Sequence, residues 1–225
     1  RRPPRSTPKP SSAASDVYKR QSDEVVTGFG RIGHFFASEK VFGVTPDIIT
    51  CAKGITSGYM PLGAVLFSDK LLNDLKNDSA LFFHGYTYSG HPACCAAALK
   101  NIEIIKRDKI LEHVQNIEPY FHQQLKKLYD LPIVGDIRGK GLMAGIECVI
   151  NKDSKEALVL DKAIGSRIDE ESLKLGLIIR PLYHICVLSP ALIISKNQID
   201  TLVDKLYLAI KNTITQLEVE GLWKG

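Results

Sequence analysis

No stretch of the 225 residues holds the roughly 18 to 20 consecutive apolar positions that a membrane span requires. Paired cysteine spacing is also lacking. Cys51, Cys94, Cys95, Cys148 and Cys186 are odd in number and follow no framework, which excludes a disulfide-stapled domain. They are expected to be thiols serving as small core residues in a reducing compartment, the cytoplasm. No Cys/His spacing suits zinc and the six histidines are scattered, so no metal site is expected. A basic surplus is missing from most of the chain as well. Of 29 Lys and Arg and 25 Asp and Glu, residues 1–21 hold six basic side chains and only Asp16, leaving 23 against 24 elsewhere. The net charge of +4 belongs to the leader, and no nucleic-acid partner is expected. Internal repeats are absent too.

What is present is an ordinary globular composition, 44% hydrophobic and 24% charged, in a chain long enough to bury a core. Residues 1–21 are rich in Pro, Ser and Arg without apolar periodicity, and are expected to be disordered. A transit peptide has a similar composition, but Ser15–Gln21 reads like a translated sequencing adapter, and the leader is expected to be foreign to the fold. From Ser22 short apolar runs alternate with amphipathic stretches, an α/β pattern. Strands are expected at Ile48–Cys51 and Leu62–Phe67, and helices at Ala93–Lys106 and Lys109–Tyr129. The second helix carries a stripe of Ile110, Val114, Ile117, Phe121 and Leu125. Ile133–Arg138 and Leu142–Val149 flank a glycine-rich turn and read as a hairpin. A helix at Asp161–Leu175 closing on Gly176, strands at Leu177–Arg180 and Ile185–Leu188, and a helix at Gln198–Leu217 complete the pattern. The expected division is 22–104 as one domain, 105–130 as a connecting helix, and 131–225 as a second domain.

Three segments could carry chemistry. Ala52–Lys53–Gly54 places a lysine at the mouth of a strand, where α/β proteins bind ligands. A partly desolvated lysine becomes a nucleophile; a strand-end surface lysine is the plain alternative. Asp23–Glu24–Val25 precedes Thr27–Gly28–Phe29–Gly30–Arg31, but Gly28-x-Gly30-x-x-Gly33 lacks the strand–turn–helix setting of a dinucleotide loop. His84–Gly85–Tyr86–Thr87–Tyr88–Ser89–Gly90–His91–Pro92 leads into a helix and suits either a phosphate or a simple capping turn.

In that order, and joined by Ser57–Gly58–Tyr59-x-Pro61–Leu62–Gly63–Ala64 and Arg138–Gly139-x-Gly141–Leu142–Met143, these motifs resemble the class III pyridoxal-phosphate aminotransferases over about nine-tenths of the chain. The resemblance implies a fold-type I transferase, here a partial large domain plus a C-terminal α+β small domain. It implies that Lys53 is the Schiff-base lysine and shuttles the proton, and that Asp23 pairs with the pyridinium nitrogen of pyridoxal phosphate, keeping the ring an electron sink. Val25, taken to lie two residues on along a strand, would pack on a ring face. Thr87 and the backbone around Tyr86 would bind the phosphate of a partner subunit in a homodimer with shared sites. Arg180 would hold a substrate carboxylate, a role a planar guanidinium suits, although it could equally be a surface ion-pair residue. The implied reaction moves an amino group from an amine or ω-amino acid to a 2-oxo acid such as pyruvate. A same-fold aminomutase, or a non-catalytic fragment acting as a dimerisation module, is the alternative.

The family's N-terminal half, with a phosphate loop and a second ring-stacking aromatic, has no counterpart here, and polar Asp16–Gln21 stands where an apolar strand is expected. The chain is therefore expected to be a truncated, inactive portion with exposed sheet edges.

Overall fold

The structure is a computed structural model describing residues 20–77, 83–154, 156–157 and 164–223. Residues 1–19 of the leader, and 161–163 at the start of one expected helix, lie outside the described residues. The chain divides into two compact units. One holds the described residues up to Phe29 and His34–Ile104; the other holds Gly30–Gly33 and the residues from Ile105 onward.

In the first unit, β1 (Gln21–Asp23), β2 (Ile48–Cys51) and β3 (Ala64–Phe67) form a sheet in the order β1-β2-β3. β1 and β2 are parallel, with Gln21 opposite Ile48 and Asp23 opposite Thr50, whereas β3 runs antiparallel to β2. The leader was expected to be disordered through Gln21, but its last two residues are paired. The Arg20 carbonyl accepts from the amides of Asp47 and Ile48, and the Arg20 amide donates to Asp47 Oδ2 at 2.9 Å. Backbone pairing with β2 forms the strand where side-chain hydrophobicity does not. Two helices follow in this unit, α1 (Ala37–Lys40) and α2 (Asp69–Asn77), and α3 (Pro92–Arg107) begins in it. α1 and α2 were not anticipated; α2 has a polar sequence, DKLLNDLKN, in which Leu71 is buried.

In the second unit, α4 (Ile110–Leu125) buries Val114, Ile117, Phe121 and Leu125, while Ile110 is half-buried, so the expected stripe faces the core. A 3-10 turn (Lys126–Asp130) leads into β4 (Val134–Lys140) and β5 (Met143–Asn151), and β6 (Glu156–Ala157) pairs with β5. α5 (Ile164–Lys174) ends at Gly176; β7 (Arg180–Leu182) and β8 (Ile185–Leu188) follow, then α6 (Lys196–Val219). The antiparallel sheet runs β4-β5-β8-β7. Ala144, Ile146 and Cys148 of β5 alternate inward with half-buried Gly145 and Glu147 and meet Cys186 and Leu188 of β8 beneath the apolar faces of α4, α5 and α6. All five cysteines are free; Cys95 is half-buried and the other four are buried. Among the described residues no helix is long and apolar enough to cross a membrane.

Two expected boundaries move for physical reasons. The strand expected at Leu177–Arg180 begins at Arg180, because the Leu177 amide donates to Ser172 O at 2.9 Å and closes α5. α6 starts two residues before the expected Gln198, because Ser195 and Gln198 form a reciprocal capping box.

The turn between β4 and β5 is tighter than expected. Lys140 lies opposite Met143, and Gly141 and Leu142 alone make the connection. Gly141 has φ +58°, and a β-carbon there would lie 2.4 Å from Ile32 Cα and 2.5 Å from Arg31 O. Arg31 also binds this region: its Nη1 donates to Leu142 O and Pro190 O, and burial pulls its pKa down. Glycine is thus required by conformation and by proximity to backbone that cannot yield. Gly141→Ala is expected to lower stability by about 3 kcal/mol, read as a shift in the urea midpoint at unchanged slope.

Candidate active site

The carboxyl ends of β1 and β2 carry the two residues with the strongest chemical claim. Asp23 is the last residue of β1, and the Glu24 amide continues the pairing to Thr50 O at 2.8 Å. Lys53 stands two residues beyond the end of β2. Adjacent parallel strands therefore deliver a carboxylate and an amine to one sheet end, the end at which α/β sheets bind ligands.

Both groups are exposed and carried on tightly tied backbone. Asp23 Oδ1 accepts from the Val25 amide at 2.9 Å, and Oδ2 has no hydrogen-bond partner among the described residues. That bond turns the chain out of the sheet. The strand expected to continue through Val25 stops at Asp23, and Val25 is half-buried in the turn that follows, where the Asp23 side chain takes its amide.

Lys53 has φ +43°, in the left-handed region, and opens a single 3-10 turn, Lys53–Ile55. A non-glycine residue there costs about 1 to 2 kcal/mol, so the surroundings must hold it. Several contacts do so. The Ile55 amide donates to Ala52 O, and buried Thr56 donates its hydroxyl to Met60 O at 2.6 Å. Gly54 packs against the preceding loop: a β-carbon would sit 2.9 Å from Phe29 Cβ and 3.0 Å from Gly28 O.

Two residues that motif reading left without a role shape this end of the sheet. Glu24, adjacent to Asp23, is buried with 1% exposure. Its Oε1 accepts from the Ser38 amide at 2.7 Å and its Oε2 from the Thr27 hydroxyl. Burial pushes its pKa up, but the hydrogen bonds from Thr27, Ala37 and Ser38 outweigh burial and hold it below the ordinary carboxylate range. Alternation puts consecutive acids at a strand end on opposite faces, which is the sequence signal that one of them could face inward. Asn101 of α3 donates Nδ2 to Gly54 O and Ile55 O, and no motif singles it out.

Tyr86 and Thr87 are exposed in the turn that leads into α3. Ser89 Oγ accepts the Tyr86 amide at 2.9 Å, and the Ser89 amide returns to Tyr86 O. The Ser89 hydroxyl therefore closes this turn. In the second unit, Arg180 is exposed as the first residue of β7, opposite Val187.

The donor set fits pyridoxal phosphate. An amine that can condense with an aldehyde and a carboxylate with an open oxygen, brought to one sheet end, answer the two ends of a pyridine-4-aldehyde ring.

Comparison with known proteins agrees. The chain is 42% identical to a putrescine–pyruvate aminotransferase of Pseudomonas aeruginosa over 183 residues, 81% of this chain and 40% of that protein. A thermostable (S)-enantioselective omega-transaminase from Thermomicrobium roseum superposes with a TM-score of 0.82 at 41% identity, covering 86% of this chain and 43% of that one. The PMP-bound form of an aminotransferase from Vibrio fluvialis does so with a TM-score of 0.81 at 36% identity, covering 87% and 44%. The chain thus spans well under half the length of these relatives. With the family described as Aminotransferase class-III matching residues 22–210, this chain belongs to the class III aminotransferases, pyridoxal-phosphate enzymes of fold-type I.

Proposed function

We propose that the residues of this chain serve an ω-aminotransferase that transfers an amino group from an amine or ω-amino acid to pyruvate. The observation that carries the reading is the placement of Asp23 and Lys53 at the carboxyl ends of neighbouring parallel strands. Bound pyridoxal phosphate would supply an electron sink for the substrate carbanion. Asp23 would hold a negative charge beside the ring nitrogen through Oδ2, its backbone fixed by the Oδ1 bond to Val25. Val25, half-buried directly after the strand, would give a ring face an apolar contact. Lys53 Nζ would attach the cofactor covalently and then take and return the proton at the substrate carbon.

Tyr86 and Thr87 would meet the phosphate of a partner subunit in a homodimer. In support, Phe83, Tyr86 and Tyr88 expose 94%, 78% and 81% of their surface, an aromatic concentration typical of interface cores. Arg180 would bind the acceptor carboxylate, and free cysteines suit the cytoplasm. The domain reading is proposed in the same terms, with 22–104 as the cofactor-binding portion, 105–130 as the connecting helix and 131–225 as the small domain.

The test complements the chain with the N-terminal half of a class III relative, adds pyridoxal phosphate, an aliphatic diamine and pyruvate, and measures alanine, which the chain by itself is expected not to form. Alanine formation that stops in Lys53→Ala is expected. Conversion of the diamine without alanine would favour an aminomutase; amino transfer to 2-oxoglutarate alone would remove pyruvate as the acceptor.

A further inference from the structure

We infer that Asn101 is the positioning residue of Lys53, a role that rests on reading Lys53 as the attachment lysine. Asn101 lies on α3, 48 positions beyond Lys53 in the chain, and its half-buried side chain reaches the turn that Lys53 opens. Nδ2 donates to Gly54 O at 2.8 Å and to Ile55 O at 3.1 Å, and Oδ1 accepts from Ser57 Oγ at 2.8 Å. One amide thus binds three of the four residues that follow Lys53.

The turn needs such a tie. Lys53 and Ser57 both lie in the left-handed region, at φ +43° and +49°, so two strained non-glycine residues bracket three positions. Each is strained and persists only when its surroundings over-determine it. Within the segment, the backbone bonds are the short-range closures Ile55 to Ala52, Thr56 to Lys53 and Ser57 to Gly54, at 3.1 to 3.3 Å, beside the Thr56 hydroxyl bond to Met60 O. The backbone bonds of a single 3-10 turn are geometrically poorer than those of an α-helix, so the strain is held together with contacts from outside the turn. Asn101 supplies the anchor from a 16-residue helix, a rigid element. An asparagine in a helix interior is mildly unfavourable, which marks the position as serving something other than helix stability. Fixing the turn fixes the direction from which the Lys53 stem leaves the backbone, and a misplacement of about 1 Å is enough to cost two orders of magnitude in reactivity.

The chain is incubated with pyridoxal phosphate, reduced with borohydride, and label at Lys53 is quantified by peptide mass spectrometry against exposed Lys211. Lys53 is expected to label several-fold above Lys211. Asn101→Ala, and the near-isosteric Asn101→Asp that lacks both N–H donors, should cut that excess about tenfold. Ser57→Ala keeps both carbonyl bonds and should stay within about twofold. Amide hydrogen exchange of 52–58 should accelerate about tenfold in the Asn101 variants, the worth of one to two hydrogen bonds, with Lys211 labelling unchanged. Undiminished Lys53 labelling in Asn101→Asp overturns the inference, as does global loss of circular dichroism in both variants, which would make Asn101 a general structural residue. Failure of Lys53 to exceed Lys211 in the unsubstituted chain instead sinks the attachment reading, and the exchange rates then decide alone whether Asn101 holds the turn.

Discussion

In the protein complemented with its family's N-terminal half, Lys53→Ala is expected to lower turnover by about 10³-fold or more and to abolish borohydride-trapped cofactor at this position, while leaving the stability of the chain within about 0.5 kcal/mol. The two halves of that expectation have separate grounds. The side chain is exposed, so truncating it removes little buried surface. Alanine inherits the same φ of +43°, so the backbone strain is neither added nor relieved. Lys53→Gly makes the contrast. Glycine adopts this region freely, and the variant should gain up to about 1 kcal/mol, less what its more flexible unfolded chain gives back. A lysine in the left-handed region carries strain that glycine would not, so this turn keeps its lysine at some cost in stability. Equal activity of Lys53→Ala and the unsubstituted protein, under saturating cofactor, would remove Lys53 from the chemistry.

Much of this sheet end could be read from residue order, and the parts that could not have physical causes. Ile48–Cys51 is apolar, β-branched and followed by Ala52–Lys53–Gly54, so both the strand and the lysine at its mouth were legible. β1 was not, because Gln21, Ser22 and Asp23 have no apolar pattern and owe their pairing to the backbone of Ile48–Thr50. Val25 was placed on a strand by simple alternation. Alternation is blind to an aspartate whose side chain captures the amide two residues ahead. Arg180 was placed at the end of a strand and heads one instead, since the closing bond of α5 uses the Leu177 amide. Asn101 left no mark at the level of motifs, because a contact between residues this far apart in sequence has no local signature.

The largest expected loss of stability in the first unit is at Glu24. Glu24→Ala strands the Ser38 amide and the Thr27 hydroxyl in a buried setting and should cost about 3 kcal/mol. Glu24→Gln should cost somewhat less, because its amide keeps one oxygen acceptor while its NH₂ faces a donor that needs an acceptor. The same carboxylate sets an acid dependence whose sign follows from its lowered pKa. The folded state binds this proton less readily than the unfolded chain, so the stabilisation is fully present above the ordinary glutamate value of roughly 4.3 and drains away as pH falls through the lower folded value. Hydrogen exchange of the Ser38 and Gly28 amides reads this locally: Gly28 donates to Glu24 O, and Ser38 to the carboxylate itself. After correction for the intrinsic pH dependence of exchange, protection at Ser38 should fall on acidification in the unsubstituted chain and stay flat in Glu24→Gln. A flat profile in both would mean that the hydrogen bonds do not hold the proton off, and that Glu24 is buried neutral. Because Glu24 sits between Asp23 and Val25, loosening it should also disturb how Asp23 leaves the sheet. Glu24→Gln should therefore weaken cofactor binding more than its distance from the chemistry would suggest, about threefold to tenfold in Kd by fluorescence titration, an effect that Gly141→Ala in the other unit should not reproduce.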